Sequence, residues 1–132
     1  MPSNPVWNVS GTTKKTRPEI LYQPGEVLLV PFPFSSLQTS KKRPVLALTA
    51  PDTFEDVVCL AITSSPLHQA AFPLDNECFF EGVLPKLSWV RLDKVYTLNT
   101  GVFVGRFGSL HTEMFEEVKK HFCWHFGCHL LK

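Results

Sequence analysis

The sequence has little net charge and no long apolar run. Thirteen Lys and Arg residues are nearly balanced by twelve Asp and Glu residues, which gives a formal net charge of +1. This balance excludes a protein that coats nucleic acid by overall charge, so a nucleic-acid partner would need a local basic site or base stacking. No apolar segment has the length of a membrane span or the form of a secretory leader. We therefore expect a cytoplasmic protein with no membrane contact.

Cysteine is scarce, and its four copies are expected to be free thiols. They are Cys59, Cys78, Cys123 and Cys128. Disulfides persist in oxidising compartments and are rare in a reducing one, which argues against a disulfide framework here. Cys59 lies inside an apolar run, where a thiol behaves as a small hydrophobic side chain.

The chain has the size of one domain. Its 132 residues are 44% apolar and include eleven Phe, a composition typical of a globular chain and not of a disordered one. Residues 1–22 differ from the rest because they combine proline and basic residues with no apolar periodicity. We interpret them as a flexible N-terminal extension and assign the folded domain to residues 23–132.

Hydrophobic patterning predicts a mainly β fold that ends in one helix. Apolar runs separated by turn residues predict short strands at 26–32, 43–49, 57–62, 71–74, 89–93 and 102–107. The remainder of 66–88 is expected to be irregular. Apolar residues at spacings of three and four, starting with Phe115 and Val118, predict a helix over 112–126. Short strands with one terminal helix indicate a small, strongly curved barrel on which the helix packs.

One strand alternates polar and apolar side chains. Trp89, Arg91 and Asp93 share one face, because side chains two apart in a strand point the same way. Arg91 and Asp93 are either an exposed ion pair, worth well under about 1 kcal/mol, or polar groups that line a groove. Trp89 either stacks a nucleobase or packs half-buried.

Four segments stand out together: PGEVLLVPFPF over 24–34, KRPVL over 42–46, LAITSS over 60–65 and WVRLDKVYTL over 89–98. A fifth, GRFGSL over 105–110, leads into the helix. In this order and spacing they resemble the MazF/PemK-type toxins of type II toxin–antitoxin systems. The resemblance covers residues 24 to about 127. It implies an SH3-like barrel of the CcdB/PemK type, a homodimer, and a cognate antitoxin peptide as partner.

The resemblance also implies an activity and a site. The activity is metal-independent, cofactor-free cleavage of single-stranded mRNA to 2′,3′-cyclic phosphate and 5′-hydroxyl ends. Arg43 and Thr63 would be catalytic, since a guanidinium can fork two hydrogen bonds onto phosphate and a strand-end hydroxyl can hold the same group. The substrate-binding residues would be Lys41, Lys42, Ser64, Ser65, Arg91 and Asp93.

Plainer interpretations of these residues stay open. Taken alone, Arg43 is a surface cation before a proline-restricted strand start. The hydroxyls that follow Ile62 are equally able to end the strand by local backbone bonding. Three positions also depart from the family pattern: Lys41 and Lys42 stand where glycine is frequent, and Glu26 replaces a commoner Asp.

The end of the helix carries a pattern that invites a zinc hypothesis. His121, His125 and His129 recur at intervals of four, with Cys123 and Cys128 nearby. A helix presents Cys123 on a different face from the histidine row, so an ordinary packing surface is favoured and no metal is expected.

Two other functions compete with the nuclease. One is a non-catalytic CcdB-like barrel that acts by binding a protein target of the gyrase type. The other is a degenerate family member that serves as an interaction module. An intact Arg43 and Thr63 favour the nuclease.

Overall fold

A computed structural model describes residues 21–32, 41–66 and 69–128. In these residues the chain forms seven strands and one α-helix. The strands are β1 (Glu26–Phe32), β2 (Lys41–Ala47), β3 (Asp56–Thr63), β4 (Ala71–Leu74), β5 (Phe79–Gly82), β6 (Ser88–Asn99) and β7 (Gly105–Leu110), and the helix is α1 (Thr112–His125). This helix is too short and too polar to span a membrane, and no other α-helix is present in the described ranges.

The strands form one curled antiparallel sheet in the order β4-β6-β3-β2-β1-β7-β5. Strands that follow each other in the chain pair directly from β1 to β3, and β6 and β7 then extend the sheet on either side. The curled sheet with one C-terminal helix confirms the predicted mainly β, curved-barrel class.

The sheet carries an apolar cluster on each face, as the period-two alternation of strands requires. Leu46 belongs to the cluster under α1, here called the inner cluster, together with Phe115 and Val118 of the helix. Its neighbour Val45 belongs to the cluster on the opposite face, here called the outer cluster, which also contains Cys59. Burying one such side chain contributes about 1.5–3 kcal/mol. The predicted helical stripe is confirmed at Phe115 and Val118.

Tyr22, the last residue of the predicted N-terminal extension, packs on the folded domain. Residues 1–20 of the predicted extension lie outside the described residues. Tyr22, at its end, is half-buried against the outer cluster, and its ring meets that of Phe103 edge-on with the centroids 5.0 Å apart. The packed domain therefore includes Tyr22.

The strand predictions differ from the structure at β2, β5, β6 and β7. β6 was predicted over 89–93 but continues to Asn99, because it keeps pairing with β3 beyond the bulge. β2 starts at Lys41, two residues before its predicted start, because it continues pairing with β1 as far as Phe32. β5 was not predicted at all; it is four residues long and pairs with β7 across a register shift. The strand predicted over 102–107 is displaced to 105–110, since Asn99 caps a 3-10 turn at Thr100–Val102 through Gly101 N–H.

β5 and β7 approach each other closely at two glycines. Gly82 and Gly108 are paired in register. A Cβ on Gly82 would lie 1.9 Å from the carbonyl oxygen of Phe107, and one on Gly108 would lie 1.9 Å from that of Glu81. Only glycine fits such an approach, and both residues have positive φ (+84° and +153°).

Glu26, the departure from the family pattern in β1, ties that strand to β7. Its buried carboxylate accepts a hydrogen bond from Arg106 Nε at 2.9 Å and another from the Gln23 backbone N–H at 3.0 Å. Arg106 also reaches Glu81 of β5 at 3.3 Å. Glu26 therefore has a structural role where β1 pairs with β7.

Candidate active site

Arg43 of β2 and Thr63 of β3 lie on the same face of the sheet and at the same level. Val45 pairs with Ala61 across these antiparallel strands. Arg43 precedes Val45 by two residues and Thr63 follows Ala61 by two, so both pairs share a face. Arg43 and Thr63 line one cleft of about 220 Å³. Its other lining residues are Pro44, Ala61, Ile62, Arg91, Lys94 and Tyr96.

The cleft exists because β6 bulges away from β3. Leu60 pairs with Val95 and Ile62 pairs with Val90, so residues 91–94 of β6 stand opposite the single residue Ala61. Extra residues in one strand bend it and re-aim its side chains, which is common beside functional sites. Here the bulge places Arg91 and Lys94 at the cleft wall.

Arg43 is held by its strand context. It pairs with Val30 of β1, and the following Pro44 restricts its backbone to the extended region. The side chain is half-buried and its Nε atom is shielded from solvent. A guanidinium stays ionised when partly buried, and a less hydrated surrounding strengthens its attraction for an anion.

The Thr63 hydroxyl is fixed by a local turn. Its Oγ1 accepts a hydrogen bond from the Ser65 backbone N–H at 3.1 Å. The local backbone bonding considered from the sequence is therefore present. The hydroxyl is the acceptor in this bond and keeps its own hydrogen for donation, so the turn orients the donor without using it.

Arg91 and Asp93 form the ion pair that their spacing suggested. Arg91 Nε donates to Asp93 Oδ1 at 3.0 Å, and Nη2 donates to Oδ2 at 2.8 Å. These hydrogen bonds lower the pKa of Asp93 and raise the pKa of Arg91. Arg91 lines the cleft, whereas Asp93 contacts its guanidinium from outside the lining.

A second cavity of about 300 Å³ adjoins the first and shares Arg43, Pro44 and Ile62 with it. Cations line both cavities: Lys42, Arg43, Lys86, Arg91 and Lys94. Among the described lining residues there is no Asp or Glu. The protein is nearly neutral overall, so this is a local concentration of positive charge, the arrangement that a phosphate-bearing ligand requires.

The sequence of this domain matches a known family. Residues 23–126 match the family described as PemK-like, MazF-like toxin of type II toxin-antitoxin system. The chain belongs to this family. The resemblance stated from four ordered segments is thereby confirmed, and the match spans most of the described strands and the helix.

Solved structures of MazF toxins share the fold. A MazE–MazF complex from Deinococcus radiodurans matches with a TM-score of 0.61 at 15% identity, over 83% of this chain and 98% of that one. The toxin MazF-mt6 of Mycobacterium tuberculosis matches with a TM-score of 0.59 at 21% identity, over 76% and 95%. A mycobacterial endoribonuclease in complex with its cognate antitoxin matches with a TM-score of 0.59 at 13% identity, over 80% and 93%. No curated protein sequence matches the chain.

The other residues predicted for the site of this toxin-family chain are distributed unevenly. Lys42 and Ser64 line the second cavity. Ser65 contributes its backbone to the Thr63 turn. Of Lys41 only the backbone, paired with Phe32, is described. Trp89 is half-buried between Thr63 and Pro73 and lines neither cavity, so the packing interpretation fits it better.

Sequence reasoning missed two lysines and a tyrosine among the lining residues of this site. Lys94 and Tyr96 lie inside the family segment 89–98 but were not selected, because a straight strand would place them away from Thr63. Lys86 precedes β6 in a region predicted to be irregular. The positive charge of the two lysines was the available signal, but the bulge that directs Lys94 has no sequence signature.

The His and Cys residues of the helix end, whose spacing invited a zinc hypothesis, are not grouped around one point in the structure. The Nδ1 atom of His121 lies 2.8 Å from the Glu117 carbonyl oxygen, and its ring packs on Phe72. Cys123 and Cys128 lie together on another side of the helix end. His129 falls outside the described residues. Within the described ranges, no three His, Cys, Asp or Glu side chains are grouped closely enough to hold a metal.

Proposed function

We propose that this member of the toxin family is a metal-independent endoribonuclease that cuts single-stranded mRNA. The observation that carries the proposal is that Arg43 and Thr63 lie on one face of the sheet and line the same cleft, which also carries other cations. A guanidinium and a hydroxyl that converge on one point suit a phosphodiester, because both can donate to its non-bridging oxygens.

RNA supplies the nucleophile for this reaction. The 2′-hydroxyl loses its proton and attacks the adjacent phosphorus, and the bond from phosphorus to the 5′-oxygen breaks. The leaving oxygen takes a proton, so the products are a 2′,3′-cyclic phosphate and a 5′-hydroxyl end. The protein needs to align the groups and to stabilise the charge that builds on the phosphorane.

Arg43 is assigned to that charge. A well-placed donor to a developing oxyanion is worth about 3–4 kcal/mol. Thr63 donates its oriented hydroxyl to the same phosphate, and Arg91 approaches from the bulge. Asp93 is a weak base, since the Arg91 guanidinium holds its pKa low. We assign no side chain to proton transfer.

The cations around the cleft are assigned to the RNA backbone. Lys42 and Lys86 in one cavity and Lys94 in the other flank Arg43 on two sides. A strand whose scissile phosphate lies at Arg43 would therefore meet cations both before and after it. Phosphate contacts of this kind give affinity and position without selecting a sequence.

Two protein partners complete the proposal: a second copy of the chain and a cognate antitoxin peptide. Phe80, Val83 and Leu87 are close in the chain and 72%, 54% and 57% exposed. Large apolar side chains clustered at a surface are typical of protein–protein contacts. The structural neighbours include toxins solved with MazE or with a cognate antitoxin, which supports a partner of that kind.

The activity is tested by incubating the purified protein with several long, mixed-sequence single-stranded RNAs in excess EDTA. Wild type is expected to release discrete fragments whose 5′ ends accept phosphate from a polynucleotide kinase without prior phosphatase treatment. Arg43→Ala is expected to release none. Lys120→Ala is the matched control, because Lys120 is an exposed helix cation paired with Glu117 and should leave cleavage unchanged.

The same experiment separates the competing functions. A CcdB-like or degenerate barrel that acts by binding would arrest growth on expression, cut none of the RNAs, and keep its toxicity in Arg43→Ala. Cleavage by Arg43→Ala at the wild-type rate would trace the activity to a contaminant or to another site. Either result would overturn the proposal.

A further inference from the structure

The C-terminal helix ends in a turn that brings two cysteines together. Gly127 has φ +85°, its N–H donates to the Trp124 carbonyl at 3.0 Å, and the Phe126 N–H donates to the Cys123 carbonyl at 3.1 Å. A helix that ends through a left-handed glycine folds the next residue back onto the last turn, against the residue five positions earlier. In this chain those two residues are Cys128 and Cys123.

The two cysteines lie close together, because both line one open surface depression with Trp124, Lys119 and Glu116. Hydrogen bonding with the Cys123 thiol raises the pKa of Cys128 above its ordinary value. Cys123 is exposed and Cys128 is half-buried, so a small reagent in solution reaches Cys123 more readily than Cys128.

The remaining cysteines are placed differently. Cys59 is fully buried in the outer cluster, and burial raises its pKa to about 12. Cys78 is buried under the inner cluster, and burial raises its pKa as well. Thiolates are the reactive form of cysteine, so these two side chains are inert. They serve as internal controls for the pair at the helix end.

We propose that Cys123 and Cys128 form a reversible thiol–disulfide site that responds to peroxides. The Cys123 thiolate attacks one oxygen of hydrogen peroxide, which breaks the O–O bond, releases hydroxide and leaves a sulfenic acid. The Cys128 thiolate attacks that sulfur, and a second hydroxide leaves as the disulfide forms. The two thiols lose two electrons and two protons, and the peroxide is reduced to two waters.

The turn explains why Cys123 and Cys128 can form a disulfide, whereas Cys59 and Cys78 remain thiols. Disulfide formation needs Cβ atoms about 3.5–4.5 Å apart, and two cysteines that one turn brings to the same depression reach this with little movement. The resolving thiol is also supplied by the same turn, so sulfenic acid at Cys123 is captured before further oxidation. The site lies on α1, and it is independent of the proposed nuclease cleft between β2 and β3.

Mass spectrometry tests the proposal directly. Trypsin cuts after Lys120 and releases 121–132 as one peptide that contains both cysteines. After hydrogen peroxide treatment of the folded protein, this peptide should lose two hydrogen atoms and become inert to iodoacetamide, and dithiothreitol should restore both properties. The peptides that carry Cys59 and Cys78 should keep reduced thiols. Trp124 fluorescence should fall on oxidation, because a neighbouring disulfide quenches indole emission.

Two sets of variants make the test specific. Cys128→Ser should stop oxidation at a sulfenic acid or an intermolecular adduct on Cys123, without loss of two hydrogens from the peptide. Gly127→Asn should oxidise at the wild-type rate and Gly127→Val several times more slowly, because asparagine tolerates positive φ and a β-branched residue does not.

Three outcomes would overturn the proposal. The first is independent alkylation of Cys123 and Cys128 after peroxide treatment. The second is a predominance of disulfide-linked dimers on a non-reducing gel. The third is a Gly127→Val protein that oxidises as fast as wild type, which would show that the turn does not organise the pair.

Discussion

The Arg91 guanidinium makes two parallel hydrogen bonds to the Asp93 carboxylate, at 3.0 Å from Nε and 2.8 Å from Nη2. Both residues sit in the part of β6 that bulges opposite Ala61. Arg91 is the member that lines the cleft, with 17% of its side chain exposed, against 38% for Asp93. The carboxylate therefore acts on the site by fixing the direction of the guanidinium.

This arrangement makes Asp93 a positioning residue, and a double-mutant cycle tests that role. We expect Asp93→Asn to lower kcat/KM by about tenfold, which corresponds to about 1.4 kcal/mol. Arg91→Ala should lower it further, and the double variant should be no slower than Arg91→Ala alone, because the two residues act as a unit. Additive losses in the double variant would contradict this account and would mean that Asp93 contacts the substrate itself.

Thr63 should act through its hydroxyl hydrogen and not through its shape. Thr63→Val keeps the branched side chain and removes the hydroxyl, so it loses both the donation to phosphate and the bond from Ser65 N–H. A hydrogen bond to a charged group is worth about 1.5–3 kcal/mol, which predicts a cleavage rate about ten to a hundred times lower. Thr63→Ser should retain most of the rate. Equal cleavage rates for Thr63→Val and Thr63→Ser would mean that Thr63 only helps to end the strand and has no part in the reaction.

Lys86 should bind RNA without affecting the choice of sequence. It lines the second cavity near Lys42. The affinity is measured with a 2′-O-methyl RNA, which lacks the nucleophile and therefore cannot be cut during the experiment. For Lys86→Ala the plot of log Kd against log salt should become shallower by about 0.7, the value for one phosphate contact on a single strand. Lys120→Ala should keep the wild-type slope. An equally shallow slope in Lys120→Ala would contradict the assignment of Lys86 to a phosphate contact.

Stability should depend on the close approach of β5 and β7. Gly82→Ala places a Cβ 1.9 Å from the Phe107 carbonyl oxygen at a positive φ, so the strands must separate. We expect a loss of at least about 2 kcal/mol in the free energy of unfolding. Gly105→Ala is the matched control within β7, because its Cβ would meet only Leu29 side-chain atoms at 3.5 Å. Chemical denaturation of both variants provides the comparison, and equal midpoints would contradict the packing described for Gly82.

The parts of the fold that were predictable are those set by local pattern. Apolar residues at spacings of three and four, starting with Phe115 and Val118, predict α1, and the alternation around Val90 predicts which side of β6 carries Arg91. β5 was missed because its four residues are stabilised by β7, more than twenty positions away, across a register shift. Pairing between segments so far apart in the chain cannot be predicted from local sequence patterns.

The site was predictable as a set of residues and not as a shape. Arg43 and Thr63 were chosen through the family segments, and both line the same cleft. Lys94 and Tyr96 belong to the same cleft only because residues 91–94 stand opposite one residue of β3. A bulge depends on the register of two strands, which side-chain patterning does not fix.

The most direct test of the central claim is the single-turnover cleavage rate of Arg43→Ala, measured beside its affinity for 2′-O-methyl RNA. If Arg43 stabilises the phosphorane, the rate should fall by about a hundredfold to a thousandfold while the Kd rises by less than about tenfold. Arg43→Lys should recover only part of the loss, since an ammonium keeps the charge without the forked geometry. An unchanged rate, or a loss of rate that disappears at saturating RNA, would contradict the account.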